Sequence, residues 1–225
     1  MRPVVKPLVV VLVALLLTGC ASATPTLPRP VPITPSAELA AAIAQARTAL
    51  EGGDAAGAIA LLEQPLADGQ GTAEAHYVLG NAYALQEDLT RAEEHFRQAL
   101  ALHPDYVDAR ANLGVVLYRA LKLEEAETAF RDALTLAPED AEIHYNLGGV
   151  LASQNRIDDA LTEFVRANEL DPALAEPYLG MGSVYQMQDK DAEAIAALEK
   201  YLQLASDPVW RNQAQQMLDD LRGVP

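Results

Sequence analysis

Side chains able to act as nucleophile, proton carrier or metal ligand are few in this chain. The histidines are His76, His95, His103 and His144, and none stands at the i, i+4 spacing that sets two imidazoles on one helical face around a metal. His76 and His144 are instead 68 residues apart, twice a period of 34 that recurs along the chain. Carboxylates that could share acid and base work come in the pairs Glu93-Glu94, Glu124-Glu125 and Asp158-Asp159. Each pair stands early in a helical stretch, where the positive end of the helix dipole favours negative charge, so solvated helix faces are their expected role. No phosphate-binding loop, dinucleotide glycine fingerprint, nucleophile elbow or zinc-ligand spacing occurs. The expectation is a protein without catalytic residues, metal or cofactor.

The one cysteine, Cys20, answers to different chemistry. Ahead of it lie Arg2, Lys6 and an unbroken apolar run of ten residues, Leu8 to Leu17. A bilayer span takes roughly 20 apolar residues, so a basic start, a short apolar stretch and the small Thr18 and Gly19 read as an export signal. Leu17-Thr18-Gly19-Cys20 resembles the lipobox of bacterial lipoproteins, which implies cleavage after residue 19 and lipid on Cys20. No second cysteine exists, so no disulfide forms within the chain. Several acyl chains on one residue meet the two-signal requirement for stable anchoring. Residues 20–36 follow, with prolines at 25, 28, 30, 32 and 35. Extended backbone at ~3.1 Å per residue makes this segment a tether reaching ~50 Å.

Charge narrows the partners further. The formal net charge of −16 becomes −18 once Arg2 and Lys6 are removed with the signal. Nucleic acid is excluded as a ligand, since affinity there comes mainly from cations on phosphates. An anionic membrane surface repels such a domain, which leaves lipid as the attachment and basic or neutral proteins as partners.

The elements behind these residues repeat every 34 positions. Glycines stand at 80, 114, 148 and 182, each preceded by Leu79, Leu113, Leu147 or Met181. The same step links Ala92, Ala126, Ala160 and Ala194; Phe96, Phe130, Phe164 and Leu198; and Ala99, Ala133 and Ala167. Each unit reads as two helices. Ile143, Leu147, Val150 and Leu151 share one helical face, and after Gln154-Asn155-Arg156 a second run places Leu161, Phe164 and Val165 together. Prolines at 104, 138 and 172 end the second helices, because proline disfavours helix before it and supplies no amide donor.

These rows resemble the pattern of tetratricopeptide repeats. The resemblance implies an all-α fold, a right-handed α-solenoid of about five helix-turn-helix repeats with a C-terminal capping helix. Its layout is a signal peptide at 1–19, the tether at 20–36 and a repeat domain at 37–222. Within the last lie a degenerate unit at 39–72, full units at 73–106, 107–140, 141–174 and 175–208, and a cap at 208–222. In the degenerate unit Ala46, Ala58 and Leu62 take the row positions, Gly52-Gly53-Asp54 separates the helices, and Pro65 is expected to shorten the second. The family's tryptophan place holds His76, Arg110, His144 and Tyr178. Tyr201, where sibling units have alanine, is expected to seat the next helix differently. That helix sets Trp210, Ala214, Met217, Leu218 and Leu221 on one side, as a solenoid cap requires.

The resemblance also implies that first helices line a concave groove. Residues beside the Leu-Gly rows are then the candidates for ligand contact: Asn112 and Asn146 as two rungs of amides, with Tyr77, Asn81, Tyr118, Arg119, Tyr145 and Ser183 around them. Glu74, Asp108, Glu142 and Glu176 form a further row, and the negative charge balance favours peptides with Lys or Arg. Repeat consensus and first-turn acids explain the same residues structurally. The expected function is a lipid-anchored, non-catalytic interaction scaffold of the cell envelope that grips a protein or peptide segment. One form it takes is an assembly factor similar to lipoprotein pilotins of pili or outer-membrane machinery; another is a purely structural or oligomerising component. With two membranes, Ala21 after the cysteine suits the periplasmic face of the outer membrane; with one, the outer face of the cytoplasmic membrane is expected.

Overall fold

The computed structural model describes residues 36–67 and 71–223. The expected export signal, Cys20 and nearly all of the expected tether lie outside these residues. Among the described residues the fold is all-α, a solenoid of helix pairs. First helices are α1 (Ala37–Glu51), α3 (Ala73–Leu85), α5 (Val107–Arg119), α7 (Ala141–Ser153) and α9 (Glu176–Met187). Second helices are α2 (Ala55–Ala67), α4 (Leu89–Leu102), α6 (Leu123–Leu136), α8 (Ile157–Leu170) and α10 (Asp191–Leu204), and α11 (Pro208–Arg222) follows.

Local signals start and stop these helices. Side-chain oxygens of Ser36, Thr72 and Asp140 accept the amides of Leu39, Ala75 and Ile143 at 3.1–3.2 Å, satisfying donors that the first turn leaves open. Between paired helices the turn repeats every 34 residues: Gly53, Glu87, Leu121, Asn155 and Asp189 all adopt positive φ. The amide after each donates back into the first helix at 2.8–2.9 Å, from Asp54 to Ala49 and from Arg156 to Leu151, for example. This is the Schellman arrangement, and it carries the first unit on the same period as the rest. Pro65 does not end α2, which runs on to Ala67. Its place in the last turn removes only one helical hydrogen bond.

Packing follows the rows. A Cβ on Gly80 would lie 2.6 Å from the Phe96 ring, and one on Gly114 2.8 Å from that of Phe130. Phe164 meets Gly148 of its own unit and Gly180 of the next, and a Cβ on either would lie 2.7 Å from its ring, so one side chain fastens consecutive repeats. Phe96, Phe130 and the alanine rows are fully buried, and each ring withdrawn from water stabilises by about 1.5–3 kcal/mol. Val165 differs from the expectation: it is exposed, and α8 buries Ala160, Phe164 and Ala167 instead. A second core cluster joins Ala175, Leu198 and Tyr201 to Ala214 and Leu218 of α11. Tyr201 thus fills the space that alanine leaves to a following first helix elsewhere. Trp210 stands half exposed, outside that core, while Arg211 donates to the carbonyls of Leu202 and Ala205 and caps the end of α10.

Candidate protein-binding groove

Helices α1, α3, α5, α7 and α9 pack in series on one another, whereas each second helix packs chiefly between its own first helix and the next one. First helices therefore form a continuous inner surface. The expected ligand residues fall on it, most of them half-buried.

Several of them are already bonded to one another. Asn112 on α5 donates to Asn81 Oδ1 of α3 at 2.7 Å and reaches the Tyr77 hydroxyl at 3.5 Å. Tyr77 in turn packs on Tyr106, with ring centroids 4.9 Å apart. Tyr118 bonds Ser153 of α7 at 2.9 Å, and the Ser153 hydroxyl donates to the Gly149 carbonyl. Arg119 reaches the Ala84 carbonyl and the Glu87 carboxylate, and Ser183 donates to Leu179 of its own helix. The two amide rungs are thus unequal. Asn112 is a joint between helices, while the Asn146 side chain, half-buried on α7, makes no hydrogen bond among the described residues. The cause is one position: Asn81 faces Asn112, but the equivalent place facing Asn146 holds Val115.

The electrostatics separate floor from rim. Among the expected ligand residues only Arg119 is charged. Glu74 is tied to Arg47 at 2.9 Å, while Asp108, Glu142 and Glu176 are exposed at the starts of their helices. Burial raises the Tyr106 hydroxyl to about 12, with Tyr77 and nearby carboxylates adding to it. Burial likewise raises Tyr145, with Glu176 the next contributor, so both phenols stay neutral donors.

Other functional-looking residues turn out to be structural. Glu93, expected on a solvated face, is 7% exposed. Lys122 from the next turn donates to it at 2.9 and 3.1 Å, and Arg97 joins from one helical turn away. Burial opposes its ionisation, yet these two cations hold the Glu93 carboxyl below the usual range. The arrangement recurs 34 residues on, where Glu127 takes Arg156 at 2.8 Å and Arg131 at 2.9 Å. That step of 34 in both acid and bases was the available sequence signal. His76 and His95 face each other across α3 and α4, His144 pairs with Glu163 at 2.6 Å, and His103 packs at a tilt on Tyr106.

A model of the cilia and flagella-associated protein 70 middle TPR-like domain matches residues 43–205. The chain belongs to this TPR-like family. No curated protein matches it. Among solved structures, MamA from residue 41 onward of Desulfovibrio magneticus RS-1 is similar to this TPR chain at 22% identity and a TM-score of 0.69, covering 76% of this chain and 97% of that one. Pseudomonas aeruginosa PilF is similar at 22% identity and a TM-score of 0.72, with 83% and 85% covered. YrrB, described as a TPR protein with an unusual peptide-binding site, is similar at 25% identity and a TM-score of 0.63, with 78% and 90% covered. These likenesses establish the TPR fold, in which stacked helix pairs form an extended concave surface.

Proposed function

We propose that the chain is a lipid-anchored, non-catalytic scaffold of the cell envelope that holds a protein segment in the groove of its first helices. The observation that carries this reading is the inner face itself. Tyr77, Tyr118 and Tyr145 pack on the core there and stay part-exposed beside amides. The joint of Tyr77, Asn81 and Asn112 pre-orders its neighbourhood, which lowers the entropic cost of binding. Asn146 can then both donate to and accept from a peptide main chain, whatever the side chains. Exposed carboxylates of Asp108, Glu142 and Glu176 favour Lys or Arg at the segment's edges. Lipid on Cys20 fixes the location, and residues 20–36 supply the reach.

Affinity capture with residues 37–222, followed by calorimetric titration of the captured partner, tests the reading. Asn146→Ala is expected to weaken binding by about 1–3 kcal/mol with thermal stability unchanged. Unchanged affinity would move the contact off the groove.

A further inference from the structure

We infer that His76–His95 is an acid-labile contact between the groove helix α3 and the outer helix α4, whose equivalent two repeats on, His144–Glu163, lacks facing imidazole nitrogens, so that acidification weakens the hold of α4 on α3 more than that of α8 on α7. Its consequence for binding rests on the groove reading above, but the contacts and their test need no ligand. Residues 76 and 144 are 68 apart, as are 95 and 163, so the two pairs occupy the same place in different repeats.

In the first pair the Nδ1 atoms are 3.1 Å apart and the ring centroids 5.4 Å. The two distances differ by twice the centroid-to-nitrogen distance of an imidazole, so the nitrogens point head-on. A shared metal would instead need the lone pairs to converge at an angle. One N–H therefore lies between the rings, with one histidine donating and the other accepting. A first added proton enters at an Nε2, away from the shared bond, and leaves that bond intact. The second sets hydrogen on both facing nitrogens and breaks it.

The surroundings resist that second proton. Glu63 of α2 accepts the Tyr83 hydroxyl at 2.7 Å, Arg91 of α4 covers the Tyr83 ring at 4.2 Å, and that ring lies parallel to His95. Burial and the His95 neighbour lower His76 to about 4. Burial also lowers His95, although the Glu94 and Glu63 carboxylates oppose it and Arg91 adds to it. With the folded value below the unfolded one, the stabilisation from His76 is complete above pH 6.5 and is lost as pH falls toward 4.

The second pair behaves otherwise. His144 Nδ1 lies 2.6 Å from Glu163 Oε2, and its Nε2 lies 3.2 Å from the Pro138 carbonyl. The ionised carboxylate and the carbonyl only accept, so this contact has no facing pair of imidazole nitrogens for a second proton to disrupt. Arg110, a permanent cation at the same place one repeat earlier, donates to the equivalent Pro104 carbonyl.

Hydrogen exchange on the purified full-length chain at pH 7 and 4.5 reads both contacts at once. Protection factors in residues 73–102 should fall about tenfold or more on acidification relative to those in 141–170. His95→Glu removes the facing imidazole nitrogens and should abolish the loss; Glu163→His should transfer it to 141–170. Equal losses in both segments, or His95→Glu without effect, would overturn the inference. Nitrogen-15 imidazole spectra of the unmodified chain give an independent reading should a variant not fold. They should show one proton shared by His76 and His95 at neutral pH and two separated titration steps; two independent single steps near the ordinary histidine value would contradict it.

Discussion

Lys122→Met should destabilise the protein more than Glu93→Leu, although the two changes break the same ion pair. The structure makes the two partners unequal. The Glu93 side chain is 9% exposed, whereas Lys122 and Arg97 are 44% and 50% exposed. Removing the acid leaves two cations that water can reach, and Leu161 already occupies the same position two repeats on. The lost half-exposed pairs, about 0.2–1 kcal/mol each, are offset by releasing a buried carboxylate and by apolar burial, so Glu93→Leu should stay within about 1 kcal/mol of the parent. Removing Lys122 strands the carboxylate with Arg97 alone. A fully stranded charge costs about 3–5 kcal/mol, and Arg97 reduces this to about 1–3 kcal/mol. The double change should resemble Glu93→Leu alone, because the stranded charge is gone. Urea unfolding followed by circular dichroism at pH 7 measures all three. The pH dependence adds a sign: the lowered Glu93 carboxyl stabilises above the ordinary glutamate range and loses that contribution as pH falls below it, so the gap between parent and Lys122→Met should narrow in acid. Glu93→Leu costing as much as Lys122→Met or more would refute the reasoning.

Two glycines of α5 and α7 separate close packing from open space. Gly114→Ala drives a Cβ to 2.8 Å from a fully buried Phe130 ring and should cost about 1–3 kcal/mol, whereas Gly149→Ala meets nothing within 4 Å and should stabilise by about 0.5–1 kcal/mol in thermal melts. Leu121 holds φ of 59° while 81% exposed, so Leu121→Gly should raise stability by about 0.5–1 kcal/mol, the relief of a left-handed side chain less the extra freedom of the unfolded glycine; a lower melting temperature would contradict this. Cys20→Ser should abolish labelling by a fatty-acid analogue and release the chain from membrane fractions, and a processed, lipid-bearing serine variant would end the lipoprotein reading.

The helices and their partners were legible because the 34-residue step fixes which face each residue shares with its siblings. Even the first unit, with few matching side chains, keeps the turn at Gly53. Contacts between units were less legible, since they join positions offset by the way one helix lies on the next. Asn112 meets Asn81 at a separation of 31 residues and Lys122 meets Glu93 at 29, neither of which is the repeat step. The groove residues could be named from their rows, but which amide is spent on a neighbour follows from Asn81 against Val115, a pairing visible only after the helices are stacked. Trp210 shares the apolar side of α11 by pattern, yet it stands half exposed, outside the core that Ala214 and Leu218 join.

Site-specific photocrosslinking in intact cells tests the groove most directly. A photoreactive side chain replacing Asn146, on the inner face, is compared with one replacing Asp159, exposed on the second helix of the same repeat. The groove account predicts a discrete higher-mass adduct from position 146 and none from position 159. An adduct from 159 with none from 146 would contradict it.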